Sequence, residues 1–280
     1  MNLTAAEHEQ WDRDGFFIRR ALVPCATCDA IVDELIGVCR AHPPAVHPGE
    51  AFYNAGEYRI TTETVPTAQM RQAEDEVSKV FNAHALGRTR ALGESEALAA
   101  PMCDLLGPEI DCFQSQFILK NPGVIGQPWH QDSFYFYFDK QPQTAAWVAL
   151  SRATLKNGCL WVLPGSHKQP IHKHIPDRRP AANKGYLEIV DADFSSRVAV
   201  TMEAGDVLFF HSFLMHMSTD NEAEERRAAM VYHYGRAGTK IKADLPAALA
   251  ANLNAVNKWV PVRRQSRNRD INELNSPSDR

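Results

Sequence analysis

After Pro108 the chain becomes a succession of short runs rich in β-branched and aromatic residues, with turn signals between them. The runs cover residues 110–120, 145–154, 159–163, 198–202, 206–211 and 228–234. The turn signals are Asn121-Pro122-Gly123, Asn157-Gly158, Pro164-Gly165 and Ala204-Gly205. Many short strands joined by regular turns predict a β-sandwich or a jelly roll. Because Asn157-Gly158 stands between two of the runs, we expect a hairpin there.

Helical patterns dominate the part of the chain before Pro108. Thr4 and Glu7 form a capping box at the start of a short helix, and Gly15 ends that helix. Apolar residues at helical spacing predict further helices in residues 26–40, 70–86 and 95–106. By contrast, residues 42–57 contain three prolines and two glycines, which predicts a long loop.

These patterns predict a mainly β protein with flanking helices and a single domain over residues 1–262. Its parts are a helical portion at 1–108, a β-barrel core at 109–236 and a C-terminal extension at 237–262. Residues 263–280 are polar and have little apolar surface to bury, which is typical of a flexible tail.

Composition excludes several classes of partner. The formal net charge of -4 gives no electrostatic reason to expect nucleic acid. No apolar run approaches the length of about 18 residues that a membrane helix needs, and the N-terminus does not resemble a signal peptide. The cysteines show no disulfide framework, and Cys25 and Cys28 form an isolated pair that favours a structural role. The cytoplasm is therefore the expected location, and the sequence leaves the oligomeric state open.

The segment Trp129-His130-Gln131-Asp132 carries the first candidate metal ligands. In an extended chain, residues two apart point to the same face, so His130 and Asp132 can reach one ion. Two histidines and a carboxylate on one face of an octahedron leave three positions open for other ligands. His211 and His216, in the later stretch from Gly205 to His216, both compete for the third position.

An arginine follows these histidines and suggests a carboxylate-bearing cosubstrate. Arg226 and Arg227 stand at the start of the last β-rich run, ten and eleven residues after His216. A buried guanidinium binds a carboxylate in bidentate fashion and remains charged. Because side chains alternate along a strand, only one of the two arginines can face inward.

Several motifs together resemble the phytanoyl-CoA dioxygenase family. They are residues 115–120, Pro128 to Tyr135, Asn157-Gly158-Cys159-Leu160, residues 163–168, and the run from Gly205 to His216 followed by Ser218, Asn221 and Arg226-Arg227-Ala228. They occur in the family's order from the turn at Asp14 to about Tyr234. The resemblance implies a double-stranded β-helix, that is, a jelly roll or cupin-like barrel. It also implies Fe(II) as cofactor and 2-oxoglutarate and O2 as cosubstrates.

The resemblance also assigns roles to single residues. His130, Asp132 and His216 match the metal ligands, which favours His216 over His211. Arg226 and Ser218 match residues that contact the cosubstrate carboxylate, with Arg227 as the alternative to Arg226. Gln116, Trp147 and Lys79 match residues of the cosubstrate pocket. Related halogenases have a small residue at the position of Asp132, so its aspartate argues against halogenation.

Other histidines and aromatic residues receive less specific interpretations. His233 is expected to pack inside the barrel, and His167, His172 and His174 are expected in an exposed loop. We expect the 42–57 loop and an insertion at 168–197 to cover the pocket. The candidate substrate contacts are Phe52, Tyr53, Phe134 and Phe136.

The expected function is oxidation of a small organic molecule, by default its hydroxylation, with release of succinate and CO2. A secondary metabolite or an amino-acid derivative is the expected substrate. The alternatives are an acyl-CoA hydroxylase of the same family, a non-catalytic jelly-roll protein that binds a metal or metabolite, and a metal-dependent isomerase or hydrolase.

Overall fold

A computed structural model describes residues 1–64, 70–85, 87–180, 182–183 and 185–265. The α-helices are α1 (Ala5–Asp14), α2 (Cys25–Ala41), α3 (Gly87–Gly93), α4 (Glu96–Leu106) and α5 (Ala247–Val256). The 3-10 turns are Pro44–Val46, Ala73–Glu76, Ala83–Ala85, Asp132–Phe134 and Ser166–Lys168. None of the helices in this part of the chain has the length and hydropathy that a membrane crossing would require.

The strands are mostly short. They are β1 (Phe16–Arg19), β2 (Phe52–Ala55), β3 (Tyr58–Thr62), β4 (Val77–Phe81), β5 (Ile110–Lys120), β6 (Thr144–Ala149), β7 (Leu160–Val162), β8 (His174–Pro176), β9 (Leu187–Ile189), β10 (Val198–Val200), β11 (Val207–His211), β12 (His216–Ser218), β13 (Arg227–Arg236) and β14 (Val260–Arg263).

Two antiparallel sheets form the core. The larger sheet has nine strands in the order β1-β11-β6-β13-β5-β4-β3-β2, with β14 paired to β5. The smaller sheet has the order β10-β7-β12, and an isolated bridge between His130 and His216 extends it. Strands β8 and β9 form a separate pair. The predicted class, mainly β with flanking helices around a jelly-roll or double-stranded β-helix core, is confirmed.

The larger sheet has an apolar layer on each face because side chains alternate along its strands. In β11, Leu208 and Phe210 pack towards the smaller sheet, in a cluster that also includes Val162. Val207 and Phe209 point the other way, into a cluster with residues of α2 such as Ile31. The jelly-roll interior and the helical layer therefore lie on opposite faces of one sheet.

The N-terminal part is less helical than predicted. The capping box of Thr4 and Glu7 is present, and α1 ends before Gly15 in the left-handed conformation. Residues 70–86, predicted as helix, instead contain β4 between two 3-10 turns, and Leu86 lies outside the described residues. The helix prediction is wrong because β4 pairs with β3 and β5, and such tertiary pairing overrides local spacing.

The two turn regions also differ from expectation. The second half of the predicted 42–57 loop is a hairpin, in which Gly56 and Glu57 join β2 to β3. Asn157-Gly158 does not join a hairpin, because β6 belongs to the larger sheet and β7 to the smaller one. Asn157 accepts a hydrogen bond from the amide of Thr154 and so stabilises a crossing from one sheet to the other.

The C-terminal extension adds α5 and β14 to the barrel. Strand β14 includes Arg263, and Arg264 forms an ion pair with Asp111, so the predicted tail begins too early. Residues 266–280 of that tail lie outside the described residues. The division of the chain into one domain at 1–262 stays a prediction.

Candidate metal centre and its pocket

Three side chains converge where the two sheets meet. The backbones of His130 and His216 exchange two hydrogen bonds of 3.0 Å, which places the residues side by side. Oδ1 of Asp132 lies 3.6 Å from Nε2 of His130 and 3.7 Å from Nε2 of His216. The candidate ligand atoms of all three residues lie within 4.8 Å of one another. One metal ion could therefore contact all three.

Hydrogen bonds orient both imidazoles for metal binding. Nδ1 of His130 lies 2.8 Å from the carbonyl of Pro128, and Nδ1 of His216 lies 3.0 Å from that of Leu214. A carbonyl can only accept, so each Nδ1 carries the proton and each Nε2 keeps its lone pair. Burial, together with His130, lowers the pKa of His216 to about 4, which also favours the neutral ligand form.

The carboxylate of Asp132 is buried and lacks a full set of partners. Burial alone would raise its pKa, but the neighbouring His216, His130 and His233 outweigh that effect and lower it. Its Oδ2 atom makes no hydrogen bond, and a buried acceptor without a partner is costly. A cation bound at this position would satisfy it, so the three residues fit a divalent metal ion.

The structure shows where His211 and His233 lie relative to the candidate metal centre. His211 lies outside the centre, where its ring packs 5.8 Å from that of Trp11. His233, expected only to pack inside the barrel, lines the pocket with Nδ1 3.8 Å from Oδ2 of Asp132. His216 is thus the histidine that joins His130 and Asp132.

The structure corrects the choice between the two arginines. Arg226 was expected to face the pocket, but it forms an ion pair with Asp75 and donates to Asn121 on the outside of the barrel. Arg227 is 1% exposed and lines the pocket, and its Nε and Nη1 atoms have no hydrogen-bond partner among the described residues. The prediction is wrong by one residue, because β13 begins at Arg227 and alternation turns that side chain inward.

Lys120 is a pocket residue that sequence reasoning missed. It is the direct cross-strand neighbour of Arg227, it is 4% exposed, and it also lines the pocket. Its Nζ donates to the carbonyl of Thr219 at 2.9 Å and to Oγ of Ser218 at 3.2 Å. The alternation of side chains along β5 could have predicted this position, because Lys120 lies on the same face as Gln116 and Ile118.

Lys120 and Arg227 bring two basic side chains together in the pocket. Burial, and then the charge of Arg227, lower the pKa of Lys120 well below its usual value. Burial lowers the pKa of Arg227 to about 10. No carboxylate of the described residues forms an ion pair with either side chain. Like charges directly opposite each other destabilise a sheet, so this pair favours binding of an anion.

The other predicted cosubstrate residues also line this pocket. Trp147, Gln116 and Ser218 lie along its walls, and the ring of Trp147 packs 5.3 Å from the Arg227 guanidinium. Lys79 donates to Oε1 of Gln127 at 2.9 Å. The amide nitrogen of Gln127 lies 3.0 Å from Nε2 of His130, so the hydrogen bonds run from Lys79 to the metal centre.

The pocket is a cavity of about 440 Å³ with mainly apolar and aromatic walls. Of the predicted substrate contacts, Phe52, Phe134 and Phe136 line it. Tyr53 does not, because it points to the opposite face of β2, where its hydroxyl donates to the carbonyl of His42 at 2.6 Å. One face of α5 forms a wall of the pocket with Leu249, Asn252, Leu253 and Val256. Sequence reasoning did not connect this helix to the pocket.

The predicted exposed histidine loop is wrong for His174. This residue begins β8 and is 9% exposed. Its ring stacks 4.1 Å from that of Phe134, and its Nε2 accepts a hydrogen bond from the amide of Gln131. His174 therefore supports the segment that carries His130 and Asp132.

Comparisons with known proteins identify the family of this chain. The family model for phytanoyl-CoA dioxygenase (PhyH) matches residues 11–229. The peroxisomal phytanoyl-CoA dioxygenase of Rattus norvegicus is 38% identical over 143 residues, which are 48% of this chain and 42% of that protein. The peroxisomal enzyme of Homo sapiens is 28% identical over 248 residues, 84% of this chain and 69% of its own length. The match to the rat protein thus spans less than half of that relative.

Solved structures share the fold at low sequence identity. The epimerase SnoN in complex with Fe3+, alpha ketoglutarate and nogalamycin RO is 21% identical, with a TM-score of 0.61 over 87% of this chain and 88% of that one. EctD from S. alaskensis is 23% identical, with a TM-score of 0.63 over 87% of this chain and 82% of that one. With the family model matching most of its length, this chain belongs to the phytanoyl-CoA dioxygenase family.

Proposed function

We propose that this protein is an Fe(II)- and 2-oxoglutarate-dependent oxygenase that hydroxylates a small organic molecule and releases succinate and CO2. One observation carries the proposal: a candidate metal centre and a buried pair of cations line the same cavity. A dicarboxylate cosubstrate that contacts both would place a carboxylate next to two cations that form no ion pair with the described residues.

His130, Asp132 and His216 would hold the iron, and their three contacts leave positions for the cosubstrate and oxygen. When bound, the iron supplies the activation of O2 that oxidises the substrate while 2-oxoglutarate is converted to succinate and CO2. Arg227 binds the distal carboxylate of 2-oxoglutarate, and Trp147 fixes the position of the guanidinium. Lys120 adds a second positive charge beside the same carboxylate.

Apolar side chains around the centre exclude water from the reaction. Phe134, Phe136 and Phe210 all line the cavity. In a site of low polarity, the attraction between Arg227 and a carboxylate is stronger than in water. The same walls favour a substrate whose reacting part is apolar.

A small natural product or amino-acid derivative remains the proposed substrate. SnoN, which shares the fold, is an epimerase from nogalamycin biosynthesis and was solved with nogalamycin RO, which supports that class. The relatives named as phytanoyl-CoA dioxygenases support an acyl-CoA substrate as the alternative. Action in the cytoplasm, without nucleic acid or membrane as partner, stays a prediction.

An anaerobic titration tests the proposed cofactors. Fe(II) is added to the protein, followed by 2-oxoglutarate, and the visible metal-to-ligand charge-transfer band is recorded. The band should appear with Fe(II) and be absent with Zn(II), a d10 ion that controls for binding without colour. A folded, iron-loaded protein that gives no band would favour the metabolite-binding or isomerase alternatives.

A further inference from the structure

Arg59 is a buried cation at the far side of the pocket. It lies on β3, lines the cavity and is 9% exposed. Within the described ranges of the chain, its guanidinium forms neither a hydrogen bond nor an ion pair with another residue. Its charged group instead lies 4.0 Å from the ring centroid of Phe52, on the neighbouring strand.

This isolation sets Arg59 apart from the other cations of the cavity. Lys120 and Lys79 both donate hydrogen bonds to protein groups, and Arg227 lies in the proposed cosubstrate site. Burial lowers the pKa of Arg59, and no carboxylate of the described residues opposes that effect. The guanidinium faces the cavity, where one face of an aromatic ring replaces only part of the hydration that it loses.

The sheet register places Arg59 well away from the metal centre. Arg59 pairs with Phe81, Phe81 pairs with Gln116, and Gln116 pairs with Val231. All four residues line the cavity, so they form a row across its floor. Three strand spacings separate the ends of this row by roughly 14 Å between backbones. His233, two residues beyond Val231, is the point where the row approaches Asp132.

The wall around Arg59 is built for an apolar molecule. Phe52 and Phe81 flank the guanidinium on the sheet side, and Leu249 and Leu253 of α5 also line the cavity. An ion pair between Lys258 and Glu57 links the region after α5 to the β2–β3 turn. The charge of Lys258 is therefore already neutralised, and Arg59 is the free cation that the described residues offer on this side.

We propose that Arg59 binds the carboxylate of an organic acid substrate whose apolar body extends along the cavity towards the metal centre. This inference rests on the proposed function and narrows its substrate class. A single free guanidinium matches one carboxylate, whereas the several phosphates of coenzyme A would need more cations. Because Arg59 and the centre lie at opposite ends of the row, the oxidised carbon is several bonds from the anchored carboxylate.

Binding of matched probes tests the proposal. The probes are ω-phenylalkanoic acids from 3-phenylpropanoate to 6-phenylhexanoate, each with its primary amide and its coenzyme A thioester. Binding is measured by calorimetry on anaerobic protein with Fe(II) and saturating 2-oxoglutarate, so that the acids cannot occupy the cosubstrate site. The titrations are repeated on metal-free protein with saturating 2-oxoglutarate. The variants are Arg59→Met, Arg59→Lys and, as a control for loss of a distant exposed arginine, Arg152→Met.

The wild type should bind at least one acid roughly tenfold to hundredfold more tightly than its amide, because a charged pair replaces a neutral contact. Arg59→Met should abolish this preference, Arg59→Lys should keep part of it, and Arg152→Met should keep all of it. Three results would overturn the assignment of Arg59. The acids and amides could bind equally or not at all, the acid preference could survive in Arg59→Met, or the thioesters could bind more tightly than the acids.

The charge-transfer band separates this failure from failure of the proposed function. If the band forms with Fe(II) and 2-oxoglutarate but the acid preference is absent, the role of Arg59 is refuted and the oxygenase assignment stands. If the wild type gives no band, the oxygenase assignment itself is refuted. The titrations on metal-free protein then decide the role of Arg59 alone: an acid preference that Arg59→Met abolishes supports it, and its absence refutes it.

Discussion

Lys120 and Arg227 lie directly opposite each other on β5 and β13, and both line the pocket that contains the candidate metal centre. Two buried cations at one cross-strand position repel each other. No described carboxylate forms an ion pair with either of them, and Glu63 and Asp220 act on Lys120 only from farther away. Binding of a dicarboxylate relieves this repulsion. The pair therefore links occupancy of the pocket to the stability of the sheet.

Replacement of each arginine in turn should separate their roles. Arg227→Met should raise the 2-oxoglutarate concentration needed for half-maximal charge-transfer absorbance by about tenfold to hundredfold, since a charged hydrogen bond is lost. Arg226→Met is the matched control, because its side chain pairs with Asp75 outside the pocket. An unchanged requirement in Arg227→Met, with a raised one in Arg226→Met, would contradict the assignment.

Lys120→Met should weaken the stabilisation that 2-oxoglutarate gives to the folded protein. Ligand binding raises the melting temperature according to its affinity for the folded state, and this variant loses one of the two charges near the carboxylate. Differential scanning fluorimetry with and without 2-oxoglutarate, in the presence of Zn(II), measures the change. Lys156→Met, a lysine outside the pocket, provides the comparison. An equal rise in Lys120→Met and the wild type would exclude Lys120 from the site.

Asp132→Ala should abolish the charge-transfer band and succinate release while the fold is kept. The substitution removes the carboxylate of the metal group and leaves His130 and His216 with two contacts for the ion. Circular dichroism checks that the protein remains folded. Retention of iron-dependent turnover by this variant would show that the metal is held elsewhere.

Because of His84, the free energy of unfolding should decrease as pH falls. The ring is buried between Ser115 and the carbonyl of Lys258, and burial lowers its pKa to about 4 from an ordinary value of 6.5. Below pH 6.5 the unfolded chain gains a proton that the folded protein accepts only near pH 4. Stability should therefore fall over that window, by on the order of 3 kcal/mol.

Urea unfolding at several pH values tests this effect of His84. His84→Gln keeps a donor for the Lys258 carbonyl but cannot titrate, so its stability should depend less on pH between 6.5 and 4. The same slope in the wild type and His84→Gln would assign the acid sensitivity to other groups. Because His84 lies outside the ligand set formed by His130, Asp132 and His216, metal binding should not alter the comparison.

The sequence predicted the centre better than its surroundings. His130 and Asp132 are two residues apart, so local geometry alone placed them together. The pairing of His216 with His130 came from a resemblance, because no local rule connects them. Arg226 and Arg227 could not be distinguished, since their orientation depends on the residue at which β13 begins and on an ion pair with the distant Asp75.

The remaining errors arise where distant segments meet. Residues 77–81 have apolar spacing that suits a helix, but pairing with β3 and β5 makes them a strand. The wall from α5 and the isolation of Arg59 depend on contacts between both ends of the chain. Such contacts leave no periodic pattern in the sequence.

Helix α5 begins at Ala247, beyond the end of the family match at residue 229. The candidate metal ligands and the wall that α5 contributes to the pocket therefore lie in separate stretches of the chain. Exchange of the α5 segment could alter the choice of substrate without changing a metal ligand. For protein engineering, this makes the C-terminal segment the first place to introduce diversity when a new substrate is sought.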